Sequence, residues 1–207
     1  MNTIGLFPTP LVTDNIREHL DQQEINQLTN LTQHAEDLLD HNHGNKFHKN
    51  TYLLHTLPVI RLNELLTKRV NDFRADVMGE SRTRLVITQS WININPPGSQ
   101  HSAHRHKNSI VSGVLYINCD QNSGNVRFHN NQLLTREVGG EVDQHNPFTY
   151  EFVSFTPDQF DLYLFPSNLK HSVDINKSNI NRISLAFNTF YSGMIDDGEE
   201  LSQLTVN

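Results

Sequence analysis

The chain is poor in several things, and each scarcity removes a class of protein. Its 207 residues include a single cysteine, Cys119. No disulfide can form within the chain, and a reducing compartment, the cytoplasm, is expected. No apolar run approaches the roughly 18 residues that a membrane span needs, so no spanning segment is expected. The opening, MNTIGLFPTPLVTDNI, lacks a basic stretch followed by an apolar one and does not read as a secretory signal. Positive charge is also scarce, with 16 Lys and Arg against 23 Asp and Glu for a formal charge of −7. Such a chain lacks the broad basic surface that displaces counterions from nucleic acid, which argues against that partner. Neither internal repeat nor low-complexity linker divides it. The length suits one domain with a sizeable core.

What is present falls into two unlike halves. Residues 1–80 read as a helical support region and 84–191 as a β core within a single domain, 1–207. From Asp14 to about Asp40, Ile16, Leu20, Ile25, Leu28, Leu31, Ala35 and Leu38 recur roughly at helical spacing, with Thr13 or Asp14 available as a cap. A second helix is predicted from Pro58 to about Met78, with Val59, Leu62, Leu65, Leu66, Val70, Phe73 and Val77 on one side and Gly79 as its C-cap. His34, His41, His43 and His48 lie in or beyond the first of these regions and read as surface and loop residues. After Arg84 the period shortens to two. LVITQSWINI, SIVSGVLYI, NVRFH, FTYEFV, DLYLFP, HSVDI and RISLAFNTFY each read as a strand bounded by Gly, Pro, Asn or Asp. So many short strands in succession predict a jelly roll or sandwich rather than βα units. Gln132–Asn146 reads as a loop over the mouth of a site, and Asp196, Asp197, Glu199 and Glu200 as part of a solvated acidic tail.

The chemistry is carried by histidine. On a strand, His104 and His106 project from one face, where two imidazoles grip one cation and a distant His171 completes a facial triad. Arg105 and Lys107 alternate with them and face away. A His-x-His pair alone is weak evidence, since surface strands carry such pairs by chance. Its surroundings strengthen it: Pro96-Pro97-Gly98 before the pair, Tyr116 on the following strand, and FPSNLKHSV leading into His171. Arg182 and Ser184 share a face of the next strand and together can grasp one carboxylate, the guanidinium as a fork and the hydroxyl as support. Each residue also has a plain structural role open to it. The histidines can bond to loops, Arg182 can neutralise Asp174, and Tyr116, Trp91 and Phe187 can be core aromatics. His101 sits at odd spacing from His104 and reads as a loop or outer residue. His129 and His145 are not placed by the sequence.

From Trp91 to Asn188 the chain resembles the 2-oxoglutarate- and Fe(II)-dependent oxygenases, in the branch close to prolyl hydroxylases. The stretches LFPTPLVTDNI, HRHKNSIVSGVLYI, LFPSNLKHSV and NRISLAFN are similar to a poorly characterised bacterial and phage family within that superfamily. The resemblance implies a mainly β fold with N-terminal helices, a double-stranded β-helix (jelly roll) backed by those helices. It implies Fe(II), with 2-oxoglutarate and O2 as cosubstrates, and His104 and His171 as metal ligands. It implies Arg182 for the far carboxylate of 2-oxoglutarate, helped by Tyr116 or Ser184. The expected activity is hydroxylation coupled to decarboxylation of 2-oxoglutarate.

The departure from the pattern is His106, which stands where these enzymes carry Asp or Glu. A neutral imidazole leaves the centre more positive and changes its metal preference. Three readings follow: a three-histidine iron site, a shell completed by water or another carboxylate, or a zinc or nickel site without oxygenase activity. Rival functions are a three-histidine dioxygenase needing no 2-oxoglutarate, in which Arg182 has no obvious role, and a non-catalytic jelly-roll binding module. A virion-associated role is a third. The substrate, a protein side chain or a small molecule, is expected to meet the segments around Asn42–Tyr52 and Gln132–Asn146. An exposed edge strand would make a homodimer unsurprising. A phage-encoded chain would act in the host cytoplasm.

Overall fold

The computed structural model describes residues 4–30, 32, 34, 37–130, 143, 145–196 and 203–206. Its core is eight antiparallel strands, four in each of two sheets. They are β4 (Arg84–Asn95), β5 (His101–His104), β6 (Val111–Asn118), β7 (Val126–His129), β8 (Phe152–Phe155), β9 (Asp161–Pro166), β10 (His171–Val173) and β11 (Arg182–Ile195). Before them come β1 (Val12–Asn15), α1 (Gln22–Asn30), β2 (Leu38–Asp40), β3 (Lys46–His48), α2 (Leu53–Thr56) and α3 (Ile60–Asp76). After them comes β12 (Leu204–Val206). The larger sheet runs β1-β9-β6-β11-β4-β3-β2, with β12 paired to β11, and the smaller runs β5-β10-β7-β8. Apart from the β7–β8 pair, the core strands pair with one another across the sequence rather than with their chain neighbours, which is the jelly-roll arrangement.

Alternation divides each strand of the larger sheet between two cores. Leu85, Ile87, Ile92 and Ile94 of β4, Leu115 and Ile117 of β6, and Ile183, Leu185 and Phe187 of β11 pack on the helical side. There they meet Leu62, Leu66, Val70 and Phe73 of α3, whose spacing keeps them on one face. The opposite phase, Trp91, Asn93 and Asn95 of β4, Tyr116 of β6, and Arg182 and Ser184 of β11, turns toward the smaller sheet. Tyr116, Val126, Phe128, Tyr163, Phe165 and Leu169 form a second apolar cluster between the sheets. The start of α3 lacks a side-chain cap of its own. Glu24 of α1, itself buried, supplies the acceptor: its Oε1 takes the Leu62 N–H at 3.2 Å.

The predicted long first helix is replaced by four shorter pieces. Val12–Asn15 is a strand paired with β9, Arg17–His19 a 3₁₀ turn, Gln22–Asn30 the helix, and Leu38–Asp40 a strand paired with β3. Thr13 and Asp14 therefore lie in a strand and cap nothing. Pairing to sheet edges outweighs the local 3.6-residue period. Leu31 and Ala35 lie outside the described residues, as do most of Gln132–Asn146 and the tail residues Asp197, Glu199 and Glu200. The second helix falls where predicted, and Gly79 follows it with φ of +69°, the left-handed conformation that suits glycine after a helix. FTYEFV shortens to β8, since residues 147–149 form a turn. No described helix is long and apolar enough to cross a membrane.

Candidate metal centre

The smaller sheet brings two of the three histidines together directly. His104, the last residue of β5, lies opposite His171, the first of β10, in the ladder register, and their ring centroids are 4.3 Å apart. His106 lies just past the strand end, so same-strand alternation is not what aims it. Its backbone N–H donates to Ser167 O at 3.0 Å, and its ring stacks on His171 at 5.1 Å with 9° between planes. One ring nitrogen from each of the three lies within 4.8 Å of the others. Arg105 and Lys107 are exposed.

Hydrogen bonds to the far side of two rings fix their tautomers. His104 Nδ1 lies 2.9 Å from Ser102 O, and His171 Nδ1 lies 2.9 Å from Leu169 O. A carbonyl only accepts, so each Nδ1 carries the proton and each Nε2 keeps a lone pair, the state in which imidazole binds metal. His106 Nε2 and His171 Nε2 are 3.3 Å apart. Two ligands about 2.1 Å from one metal, separated by roughly 90–105° at it, stand about 3.0–3.3 Å apart. Burial pushes His106 down to about 4, with the His104 charge adding to the effect. His104 and His171 are lowered for the same first reason. All three are neutral at pH 7, as ligands must be.

Against the opposite wall lies a polar floor. Arg182 is 2% exposed and Tyr116 fully buried. Arg182 Nη1 donates to Gly124 O at 3.2 Å, and the guanidinium carbon sits 4.9 Å from the centre of the Tyr116 ring. Arg182 Nε and the Tyr116 hydroxyl meet no partner of hydrogen-bonding geometry. Burial pushes the Tyr116 hydroxyl up to about 12, against the pull of the Arg182 cation. Ser184 stands opposite Tyr116 in the register and lines the same narrow cavity. Asp174, the alternative partner for Arg182, is engaged by Arg127 Nε at 2.7 Å. No Asp or Glu lines the cavity among the described residues. Gly124, whose carbonyl steadies Arg182, has φ of +90°, and a Cβ there would lie 2.4 Å from Asp174 O. Glycine is required by both counts.

Other histidines and Trp91 surround the triad or lie apart from it. His101 belongs to β5, stacks on His104 at 4.3 Å, and lines the cavity, its nitrogens without a hydrogen-bond partner among the described residues. Burial, then the charges of His104 and His41, push it down to about 3, and the Arg182 charge also reaches it. His41, read as a surface residue, is exposed but sets its ring edge-on to His101 at 5.4 Å and to Phe47 at 5.8 Å. The Asn42–Tyr52 segment thus begins beside the site. His48 is buried, its Nδ1 accepting the Asn50 N–H. Trp91 lines the cavity rather than the core. His129 bonds to Ser172 Oγ and His145 stacks near Tyr150, so neither joins the cluster. Two larger grooves, of about 950 and 670 Å³, contain no such cluster.

Comparison with known proteins agrees with this geometry. A family model described as a putative 2OG-Fe(II) oxygenase matches residues 89–188, from strand β4 into β11 and so across the whole site. Among solved structures, a prolyl-4-hydroxylase from Pseudomonas putida shares 15% identity at TM-score 0.56, covering 87% of this chain and 92% of its own. HygX from Streptomyces hygroscopicus, with nickel and 2-oxoglutarate bound, shares 13% identity at TM-score 0.59 over 87% of this chain and 82% of its own. A Trichoplax adhaerens prolyl hydroxylase in complex with a peptide fragment of hypoxia inducible factor shares 15% identity at TM-score 0.58, over 87% of this chain and 83% of its own. Among curated proteins none matches by sequence.

Proposed function

We propose, from the premise that the segment 89–188 belongs to the 2OG-Fe(II) oxygenase family, that this chain hydroxylates a substrate through a three-histidine iron site. His104, His106 and His171 hold Fe(II), and Arg182 pairs with the far carboxylate of 2-oxoglutarate, supported by Tyr116 and Ser184. The metal, when bound with 2-oxoglutarate and O2, supplies the coupling of oxidative decarboxylation to attack on a C–H bond.

The residues fit those groups. Three neutral imidazoles aim nitrogens at one point, at a spacing suited to neighbouring ligand positions. The observation that carries the acidic cosubstrate is Arg182: a buried cation with an unpartnered Nε, beside an unpartnered Tyr116 hydroxyl. Such donors cost roughly 1–3 kcal/mol each when left unmet, and a carboxylate answers them together. A three-histidine dioxygenase without 2-oxoglutarate leaves that cost standing. His106 provides the third position without negative charge, and backbone carbonyls fix the other two rings before metal arrives. Apolar Phe165 and Val126 wall the site from water.

The wider reading follows the same lines. The whole of 1–207 acts as a single domain in the cytoplasm, its helical half 1–80 bracing the core. A protein or peptide side chain is the favoured substrate class, supported by the peptide-bound neighbour; a small molecule is the other. A homodimer through an exposed edge strand fits the open sheets. The direct test is to supply Fe(II), 2-oxoglutarate and O2 and follow succinate. Succinate from the parent chain and none from His171→Ala is the expected result. Oxygen uptake without succinate would favour the cosubstrate-free dioxygenase.

A further inference from the structure

We propose that Asn95 is a third donor to the far carboxylate of the acid, a positioning residue acting through its Nδ2. The proposal rests on the reading of Arg182 given above. Asn95 and Arg182 are cross-strand partners on β4 and β11, so their side chains stand side by side on one face of the sheet. Asn95 is 3% exposed, and its Nδ2 has no hydrogen-bond partner. It lines the same cavity as Arg182, Tyr116 and Ser184.

Its backbone is already committed: Asn95 O accepts from Asn176 Nδ2 at 2.8 Å, which ties the residue to the loop after β10. The backbone is therefore held in place while the side-chain Nδ2 is left unsatisfied. Its neighbour two residues back differs in this respect, since Asn93 Oδ1 accepts from Trp91 Nε1 at 3.2 Å. A leucine at position 95 would fill similar space with no polar group to satisfy, so packing gives no reason for a carboxamide. Together Arg182 Nε, Tyr116 Oη and Asn95 Nδ2 make three unmet buried donors around one cavity. A carboxylate, with about four lone-pair sites on two oxygens, accepts from all three.

The test compares two keto acids that chelate metal alike but differ at the far end. 2-Oxoglutarate carries the second carboxylate and 2-oxobutyrate does not. Binding of each to the anaerobic Fe(II)-loaded protein is followed by the fluorescence of Trp91, the only tryptophan in the chain and part of the cavity wall. Asn95→Leu should weaken 2-oxoglutarate about 10- to 100-fold, the worth of a hydrogen bond to a charged group, and leave 2-oxobutyrate unchanged. Asn95→Asp, which sets a carboxylate against a carboxylate, should weaken 2-oxoglutarate further. Equal weakening of both acids would make Asn95 merely structural and overturn the proposal, as would an unchanged affinity for 2-oxoglutarate. Arg182→Met run alongside separates the levels. Sensitivity to Arg182 without sensitivity to Asn95 overturns this proposal alone, and insensitivity to both overturns the reading beneath it.

Discussion

Replacing Arg182 by methionine should move two properties in opposite directions. In the structure the guanidinium is 2% exposed and has one hydrogen bond, to Gly124 O at 3.2 Å, and one aromatic face at 4.9 Å. Those contacts contribute about 1.5–3 kcal/mol and about 0.5–2 kcal/mol respectively. Against them stands the several kcal/mol that desolvating a charge costs, with no carboxylate within salt-bridge reach among the described residues. Apolar replacement of a buried charge is commonly neutral or stabilising by about 1–4 kcal/mol. Taking about 2 kcal/mol, the melting temperature of the empty protein should rise by about 4–8 °C. The parent chain, with 2-oxoglutarate at about 100 times its dissociation constant, gains about 2.7 kcal/mol from ligand. The variant should gain less than about 1 kcal/mol at that concentration, because losing one partner of a buried charged pair costs about 2–5 kcal/mol of affinity. Differential scanning calorimetry of the metal-loaded, oxygen-free proteins with and without 2-oxoglutarate reads both effects. A variant that is less stable when empty, yet gains as much from 2-oxoglutarate as the parent, would refute the reasoning and make Arg182 a structural cation.

Two further outcomes follow from the histidines. Their pKa values in the fold lie below the ordinary value near 6.5, to about 4 for His106 and about 3 for His101. Below pH 6.5 the unfolded chain takes up protons that the fold resists, so the metal-free protein should lose stability as pH falls from about 6.5 toward 4 and hold level above it. The slope should approach about 1.4 kcal/mol per pH unit for each such histidine; urea melts from pH 7.5 to 5 that show a flat profile would contradict it. His101→Phe keeps a ring stacked on His104 and should retain one metal ion per chain. His171→Ala should lose more than the roughly 10–100-fold in metal affinity typical of an outer partner. Metal analysis showing that the two variants lose it alike would place His101 among the ligands.

Much of the site was legible because period two on a strand is a reliable guide to which side chains share a face. Arg182 and Ser184 line one cavity, as the spacing predicts, and Ile183 and Leu185, in the other phase, face the helices. The same rule, carried to the paired strand β4, puts Asn95 in phase with Trp91 and Asn93. It was available from the sequence, but a buried asparagine announces itself only once its missing partner is seen. His101, read as a loop or outer residue, is an outer neighbour of His104 on β5, although its odd spacing suggests opposite faces. The short β5 and its shifted register against β10 bring both rings to the cavity. The N-terminal half was the least legible. Val12–Asn15 pairs with β9, over 140 residues away, which no local pattern encodes, and Leu38–Asp40 pairs with nearby β3 in strands of three residues each, too short to display a period of two. The helix Ile60–Asp76, stabilised by its own spacing and one apolar face, needed no such partner to be recognised.

The central claim is that this chain binds 2-oxoglutarate at a histidine-held iron. The most direct measurement is an oxygen-free titration of the Fe(II)-loaded protein with 2-oxoglutarate, following the weak visible charge-transfer absorption of the keto-acid chelate. The account predicts a band that grows and saturates at one equivalent, requires His104, His106 and His171, and in Arg182→Met appears only at far higher acid concentration. Iron bound at one per chain with no band at any concentration would contradict it.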